Sequence, residues 1–394
     1  MVIKLIFWAF FGVVFYTYIG YGLLLWVLNR IGLAPGKRRP AVVAANFEPA
    51  VALVIAAYNE KDYIQDKITN TLALDYPEDK LGIYIITDGS DDNTPETIKK
   101  YPRIRLLHQA TRQGKAAAMN RAMGFISEPI VVFCDANTGL NTACIREIVK
   151  FYADARVGAV AGEKKIQQPA QAGVASAGEG FYWKYESFLK KQDSDFYTVV
   201  GAAGELFSLR SALYQPIEAG VLIEDFVLSL RIAQKGYLVK YAPGAYATES
   251  GSASIKDEQK RKIRISAGGF QAMFMLRSLL NIFKYGILSF QYISHRVLRW
   301  SVTPVCLLLL LPLNIVLVIR TAGTVYDILL VMQLFFYFAG LLGWFFANRN
   351  IKVKALYIPY YFLFMNISVL WGFKRFIKGQ QSVLWEKAAR ERVV

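Results

Sequence analysis

Uncharged, strongly hydrophobic segments flank a long segment of mixed polarity in this chain. Residues 5–29, 300–319, 328–348 and 355–373 contain no charged side chain. Each segment is close to the roughly 20 residues that a helix needs to cross the hydrocarbon core of a bilayer. One such segment is also compatible with a buried core helix, but four of them in one chain are not typical of a soluble protein. The pattern therefore predicts an integral membrane protein.

Between these segments, residues 31–281 have the pattern of a water-soluble α/β domain. Short apolar runs at 51–57, 82–87, 104–107 and 130–134 are separated by amphipathic stretches, which predicts strands alternating with helices. This alternation favours a mostly parallel, doubly wound sheet. Ligands of such sheets bind just beyond the carboxyl ends of the strands. Three of these runs are followed by acidic or amide side chains, so we expect those side chains to share one crevice.

Composition and charge narrow the class of protein further. The 394 residues include 54% hydrophobic residues, 46 Lys+Arg and 30 Asp+Glu, with a formal net charge of +16. This apolar content excludes a disordered chain, and the three scattered cysteines exclude a disulfide scaffold. Basic residues near a cytoplasmic membrane face bind anionic lipid headgroups, which accounts for the charge. The sequence contains no recognisable nucleic-acid-binding motif, so we expect membrane lipids and no nucleic acid as partners.

The distribution of Lys and Arg predicts how the chain is oriented. Only Lys4 precedes the first hydrophobic segment, whereas Arg30 and the basic residues at 37–39 follow it, and positive residues favour the cytoplasmic side. We therefore expect a multi-pass protein of the cell (inner) membrane with a cytoplasmic soluble domain. The basic residues from 374 onward are expected inside as well, which conflicts with three full C-terminal spans. The conflict disappears if the segment around Pro359 is interfacial or re-entrant; a third span is the alternative.

The predicted organisation follows from these assignments. Its parts are an N-terminal transmembrane helix (1–30), a soluble domain (31–281), an interfacial amphipathic helix (282–300), two transmembrane helices (301–348), an interfacial or re-entrant helix (349–377) and a basic cytoplasmic tail (378–394). His295 is expected on the interfacial amphipathic helix rather than in a catalytic role.

Two predicted strands end in residues able to carry chemistry. Asp88-Gly-Ser-Asp91 follows the second apolar run, and Asp135-Ala-Asn137 follows the fourth. Either motif alone is typical of a polar turn. Together, however, a carboxylate and an amide oxygen at one sheet edge are suitable ligands for a divalent cation that also binds substrate phosphates. Because no glycine-rich phosphate-binding loop is present, a bound nucleotide would depend on such a metal and on basic side chains.

Two further charged segments lie later in the domain. Glu224-Asp225 opens a predicted helix, where acids serve either as partners of the helix dipole or as a general base. The segment 259–264 is densely cationic. It is compatible with a membrane-surface patch and with a clamp on a diphosphate.

In order and spacing, these motifs resemble the family 2 glycosyltransferases, which are inverting enzymes of the GT-A fold. The resemblance covers residues 51 to 271 approximately and includes the segments 54–60, 88–91, 112–120, 135–137, 201–204 and 224–225. The flanking hydrophobic segments resemble those of membrane-embedded polysaccharide synthases of the cellulose, chitin, hyaluronan and poly-N-acetylglucosamine types. The resemblance implies an α/β GT-A nucleotide-sugar-binding domain flanked by transmembrane helices.

The resemblance also implies a role for particular residues. The implied nucleotide-sugar site comprises Ala57, Tyr58, Glu60, Asp88, Ser90, Lys115, Asp135 and Ala136, and the implied acceptor site comprises Gly201, Ala202, Ala203 and Gly204. Asp225 is the implied catalytic base, with Glu224 beside it. Asp135 and Asn137 are the implied ligands of Mg²⁺ or Mn²⁺. The implied diphosphate-binding or gating residues are Gln259, Arg261, Lys262, Arg264 and Trp385, the last in a tail that resembles a gating loop.

Two departures from the family pattern bear on function. Asn137 replaces the second Asp of the metal-binding Asp-x-Asp, and the Gln-x-x-Arg-Trp of processive members is here Gln259 followed by Lys262 and Ile263. The expected function is transfer of a sugar from a UDP-sugar to a growing polysaccharide. Transfer of a single sugar to a lipid acceptor, either polyprenyl phosphate or a glycolipid, is the alternative. A non-catalytic transport component is a more remote one.

Overall fold

The computed structural model describes residues 1–36, 47–167, 174–251, 254–321, 323–349, 351 and 353–379. The strands are β1 (Val51–Ala57), β2 (Leu81–Asp88), β3 (Ile104–Gln109), β4 (Ile130–Asp135), β5 (Gly139–Leu140), β6 (Val157–Gln167), β7 (Leu206–Arg210) and β8 (Leu238–Ser250). The helices are α1 (Val2–Phe15), α2 (Tyr21–Arg30), α3 (Ile64–Leu72), α4 (Thr94–Lys99), α5 (Lys115–Met123), α6 (Cys144–Val149), α7 (Val174–Phe196), α8 (Glu224–Gln234), α9 (Ile255–Met275), α10 (Ile282–Tyr285), α11 (Ile287–Tyr292), α12 (Leu298–Trp300), α13 (Val302–Arg320), α14 (Thr324–Asn348) and α15 (Lys354–Ile377).

One eight-stranded sheet forms the centre of the soluble domain, in the order β3-β2-β1-β4-β7-β6-β8-β5. The first four strands of this order are parallel, whereas β7 runs antiparallel to both β4 and β6. Strand β1 is almost entirely buried, as expected for a strand with helices on both faces of its sheet. The predicted α/β fold with a mostly parallel sheet is confirmed; β7 inside the sheet and the short edge strand β5 run antiparallel to their neighbours.

The strand register brings the predicted site motifs to one edge. Ala57 pairs with Thr87, and Ala56 pairs with Asp135. Because β1, β2 and β4 run in the same direction, the residues that follow them emerge side by side. The sheet therefore brings Asp88 and Asp135 to the same crevice.

Four helices of the described residues are long and apolar enough to cross a membrane. They are the N-terminal helix Val2–Arg30, which continues from α1 to α2 through a π-helical turn, and the helices α13, α14 and α15. Large apolar side chains project outward from them, for example Leu308 of α13 and Phe335 of α14, which are 64% and 73% exposed. Such apolar surface is stable against lipid rather than water.

Helix α15 lies along α9 of the soluble domain. The Tyr361 hydroxyl donates a hydrogen bond to Glu258 Oε1 at 3.0 Å, and Gly372 lies against Ser266. Further along, the rings of Phe270 and Phe373 are 4.9 Å apart. The two helices therefore run parallel to each other and are in contact from Tyr361 to Phe373 of α15. The interfacial placement of residues 349–377 stays a prediction.

The segment 282–300 directs its charged side chains into the protein. It is helical on both sides of Gly286 (φ 51°), with a π-helical turn at Ile293–Val297. His295 is fully buried, with Nδ1 2.5 Å from Asp193 Oδ2 of α7, and Arg299 pairs with Glu186 of α7. The polar face of this segment therefore packs on α7.

Candidate active site

Asp88, at the end of β2, holds the loop that precedes α5. Its Oδ2 accepts hydrogen bonds from the backbone N–H groups of Gln113 and Gly114 at 2.9 and 2.6 Å. Arg121 Nη1 lies 3.7 Å from the other carboxylate oxygen. Gly114 has φ 95°, a conformation that glycine adopts without a steric penalty. These contacts fix the loop so that the next residue, Lys115, starts α5 at the sheet edge.

The end of β1 forms the wall opposite this loop. Asn59 adopts a left-handed conformation (φ 52°) and donates a backbone hydrogen bond to Ser90 Oγ at 3.1 Å. The Arg112 guanidinium lies 3.6 Å from the centroid of the Tyr58 ring. A cation at this distance from an aromatic face is attracted to it. Tyr58 and Arg112 both line a narrow pocket at this edge of the sheet, so an aromatic ring and a cation lie together on its wall.

Lys115 is the cation at the centre of the site. Its Nζ lies 2.7 Å from Asp135 Oδ1, 3.2 Å from Glu224 Oε1 and 3.4 Å from the Gly204 carbonyl oxygen. Burial alone would lower the pKa of Lys115, but the nearby carboxylates, chiefly Asp135, raise that pKa well above its ordinary value. The side chain therefore stays a cation and links the ends of β4, α5 and α8.

Asp225, in the first turn of α8, has the properties of a general base. Burial raises its pKa, the adjacent Glu224 raises it further and Lys115 opposes both, which leaves the pKa of Asp225 at about 7. A base is most effective when its pKa is close to the working pH. Asp225 can therefore hold or release a proton near neutrality.

The loop 201–204 lies against this carboxylate. Gly201 has φ 89°, and a Cβ there would overlap the ring of Phe226. The backbone N–H of Ala202 donates to Ser229 Oγ at 3.0 Å, and a Cβ at Gly204 would lie 3.4 Å from Asp225 Oδ2. Only a residue without a side chain can occupy position 201, and this lets the loop approach α8 closely. A hydroxyl bound beside Gly204 would therefore be within reach of Asp225.

The cationic segment 259–264 separates into two environments. Arg261 Nη2 lies 2.5 Å from Glu179, and buried Lys262 lies 3.4 Å from Glu258, so both belong to an ion cluster between α7 and α9. Arg264 interacts with the charge of Glu224. Burial lowers the pKa of Arg264, and the negative charge of Glu224 partly opposes this effect. Arg264 is therefore the residue of this segment whose charge interacts with the site carboxylates Glu224, Asp225 and Asp135.

Two connected spaces collect most of the predicted site residues. A narrow pocket of about 20 Å³ is lined by Ala57, Tyr58, Glu60, Asp88, Lys115, Asp135, Ala136 and Asn137. A cavity of about 1270 Å³ shares Lys115 and Asp135 with it and is also lined by Ala202, Ala203, Gly204, Glu224, Asp225, Arg261, Lys262 and Arg264. As far as the described residues define them, neither space is lined by Ser90, Gly201 or Gln259. Trp385 lies outside the described residues.

The oxygen atoms at the end of β4 fit a hard divalent cation. Asp135 and Asn137 supply a carboxylate and an amide oxygen on the wall of both spaces. Magnesium-type sites often use one or two protein ligands, with phosphate and water oxygens completing the shell. Within the described part of the chain there is no group of three His, Cys, Asp or Glu side chains placed to bind a metal. Any metal here would therefore need oxygen atoms from a phosphorylated ligand.

Four residues of the site were not predicted from the sequence. Arg112 and Arg121 contact Tyr58 and Asp88, as described above, and both fall within or beside the recognised segment 112–120. Glu205 follows the acceptor loop and raises the pKa of Asp225. Arg375 of α15 lines the large cavity and lowers the pKa of Arg264. Only the first two had a local sequence signal, because Arg375 reaches the site solely through the packing of α15.

Comparison with known proteins gives matches in the soluble domain. Residues 52–215 match the family model described as Glycosyl transferase family 2. The poly-beta-1,6-N-acetyl-D-glucosamine synthase of Staphylococcus epidermidis is 28% identical over 233 residues, which are 57% of this chain and 55% of that protein. The synthase of the same name from Staphylococcus aureus (strain MSSA476) is 28% identical over 247 residues, which are 60% of this chain and 58% of that protein. The chain spans little more than half the length of these relatives.

A solved structure matches nearly the whole chain. The mannosyltransferase PcManGT from Pyrobaculum calidifontis, solved in complex with GDP-Man and Mn²⁺, superposes with a TM-score of 0.70 and 19% identity. The superposition covers 96% of this chain and 100% of that one. At this identity the likeness confirms the GT-A fold of the soluble domain and says nothing about the donor.

Proposed function

Because residues 52–215 match the Glycosyl transferase family 2 model, we propose that the chain is a membrane-bound inverting enzyme of this family that moves a sugar from a UDP-sugar to a growing polysaccharide. The observation that carries this proposal is Asp225, a carboxylate with a pKa of about 7 beside the loop 201–204. The names of the curated relatives make N-acetylglucosamine the first sugar to test.

The geometry supports a single displacement at the anomeric carbon. Asp225 accepts the proton of an acceptor hydroxyl, whose oxygen forms a bond to the anomeric carbon as the bond from that carbon to UDP breaks. Attack opposite the leaving group inverts the configuration. Lys115 and Arg264 are the cations placed to compensate the charge that develops on the diphosphate, and fixed charges of this kind stabilise a transition state without reorganising.

A divalent cation, Mg²⁺ or Mn²⁺, is the proposed cofactor. Asp135 and Asn137 would hold it together with the phosphates of the donor, and the ion would supply further compensation of the leaving-group charge. Chelation with EDTA is expected to abolish transfer, and either ion is then expected to restore it. Full activity after exhaustive chelation would remove the metal from the proposal.

The proposed orientation places the soluble domain in the cytoplasm, at the cell (inner) membrane, with α15 at the membrane interface. The parallel packing of α15 on α9 supports this orientation. Its test is a cysteine at Lys378, just after α15, labelled with an impermeant maleimide. We expect labelling only in inverted vesicles, whereas a control cysteine at Thr321, after α13, should be labelled in intact cells. Labelling of the Lys378→Cys variant in intact cells would contradict the interfacial placement.

The acceptor decides between the two enzymatic candidates. The large cavity also reaches apolar side chains, including Phe11 of α1 and Phe362 of α15. This observation keeps transfer of a single sugar to a lipid, such as polyprenyl phosphate, as the second candidate. Purified protein in lipid nanodiscs, supplied with labelled UDP-sugars, should yield a polymer and free UDP. A single lipid-linked sugar would support the second candidate, and no release of UDP from any donor would contradict both enzymatic functions.

A further inference from the structure

Lys190 of α7 is a buried ammonium group on the wall of the large cavity. Its side chain is 2% exposed, and Nζ has no hydrogen-bond partner within the part of the chain that the structure describes. Two other lysines close to the Trp183 ring are paired instead: Lys164 Nζ lies 2.5 Å from Glu205, and Lys262 Nζ lies 3.4 Å from Glu258. Burying an ammonium group without a partner costs several kcal/mol. Lys190 therefore differs from these two lysines in having no hydrogen-bond partner for its Nζ among the described residues.

The surroundings of Lys190 restrict the chemistry of a partner. Its Nζ lies 5.2 Å from the ring centroid of Trp183, which precedes it by about two turns of α7. Both side chains line the cavity. Burial lowers the pKa of Lys190, while the negative charges of Glu163 and Glu186 oppose this effect. Glu186 is compensated by Arg296 and Arg299, but Glu163 accepts hydrogen bonds from the hydroxyls of Ser187 and Tyr241 and its negative charge disfavours an anion. A hydrocarbon chain has no atom that accepts a hydrogen bond. A neutral ligand rich in hydroxyl groups satisfies the ammonium and also packs against an indole.

Lys190 lies between the proposed catalytic base, Asp225, and the N-terminal membrane helix. Its neighbour Leu189 packs with Tyr21 and Leu25 of the N-terminal helix. On the other side, Glu205 links the two regions, because its charge acts on both Lys190 and Asp225. The cavity of about 1270 Å³ is larger than the usual 300–1000 Å³ of a small-ligand pocket. It therefore has room for more than a nucleotide-sugar.

We propose that Lys190 and Trp183 form a subsite that holds the acceptor saccharide behind the sugar that receives the new unit. The inference rests on the proposed function in that the ligand is a saccharide chain. Lys190 donates to hydroxyl groups of the chain, and Trp183 contacts its apolar C–H surface.

The test is direct binding of oligosaccharides to the full-length protein in nanodiscs, without a donor. The probes are short oligomers of β-1,6-linked N-acetylglucosamine and of β-1,4-linked glucose. Lys190→Met is expected to weaken binding of the recognised oligomer about tenfold or more, the range for losing a hydrogen bond from a charged donor. Lys184→Met, at an exposed position of the same helix, is the matched control and should bind like the wild type. UDP binding should be unchanged in both variants.

The outcomes separate this subsite from the catalytic proposal. Unchanged oligosaccharide affinity in Lys190→Met overturns the subsite, as does failure of the wild type to bind either probe. A joint loss of thermal stability and UDP binding in Lys190→Met would show a purely structural lysine and also overturns it. If that variant does not fold, Trp183→Leu decides by the same affinity criterion. Oligosaccharide binding that depends on Lys190 in a protein that releases no UDP would contradict the catalytic proposal and leave the subsite standing.

Discussion

Replacing Asp225 by Asn is expected to remove catalysis and to stabilise the protein at alkaline pH. The variant cannot accept a proton from the acceptor, so transfer should fall at least about a hundredfold, within the usual contribution of a general base. UDP binding should persist, because Lys115 keeps its contacts with Asp135 and Glu224. The two effects have opposite signs, which distinguishes loss of a base from loss of the fold.

The magnitude of the stabilisation follows from the pKa of Asp225. That pKa rises from 3.8 to about 7 on folding, so the folded state binds the proton more tightly than the unfolded state does. The free energy of unfolding therefore falls as pH rises from about 4 to 7, by at most about 4 kcal/mol at 1.36 kcal/mol per unit. Partial exposure of the side chain and its coupling to Glu224 reduce this ceiling, and we expect a gain of about 1–2 kcal/mol for Asp225→Asn at pH 8.

The assay combines UDP release, UDP binding and thermal unfolding in detergent at pH 5 and pH 8. The wild-type rate at low substrate should rise through about pH 7 to a plateau, as the carboxylate loses its proton. Asp195→Asn is the control, at a half-buried position of α7 whose side chain is 43% exposed, and it should behave like the wild type in all three measurements. Near wild-type turnover in Asp225→Asn, or a lower melting temperature than wild type at pH 8, would refute the reasoning.

Two further substitutions test the neighbours of Asp225. Lys115→Met removes the cation that lowers the pKa of Asp225, so the pH–rate profile should shift to higher pH and UDP should bind more weakly; an unshifted profile would show that the two groups do not interact. Gly201→Ala introduces a Cβ at φ 89° that overlaps Phe226. Strain of about 1–3 kcal/mol should raise the KM for the acceptor more than that for UDP-sugar, and equal effects on both would contradict the role of this loop.

Local sequence patterns were sufficient to predict four of the eight strands, β1 to β4, and the position of the site at their carboxyl ends. The apolar run 51–57 coincides with β1, and the runs before Asp88 and Asp135 coincide with β2 and β4 to within one residue. Hydrophobic periodicity is a local property because a strand buried on both faces must be apolar along its length. The convergence of the two acids then follows from the direction of parallel strands. The hydrophobic helices were predictable for the same kind of reason, since their length is set by the bilayer.

Charge pairing, in contrast, was decided by the tertiary structure. The sequence presents 259–264 as one cationic segment, but the fold pairs Arg261 with Glu179 of α7 and leaves Arg264 near Glu224. The same is true of Lys190, which the sequence does not distinguish from Lys184 and which the fold buries beside Trp183. The free energy of a charge depends on burial and on neighbours that come from distant parts of the chain. The sequence by itself therefore determined the strands β1 to β4, the apolar helices and the acids at the sheet edge. Only the packing of α7, α9 and α15 decided which charges serve the site.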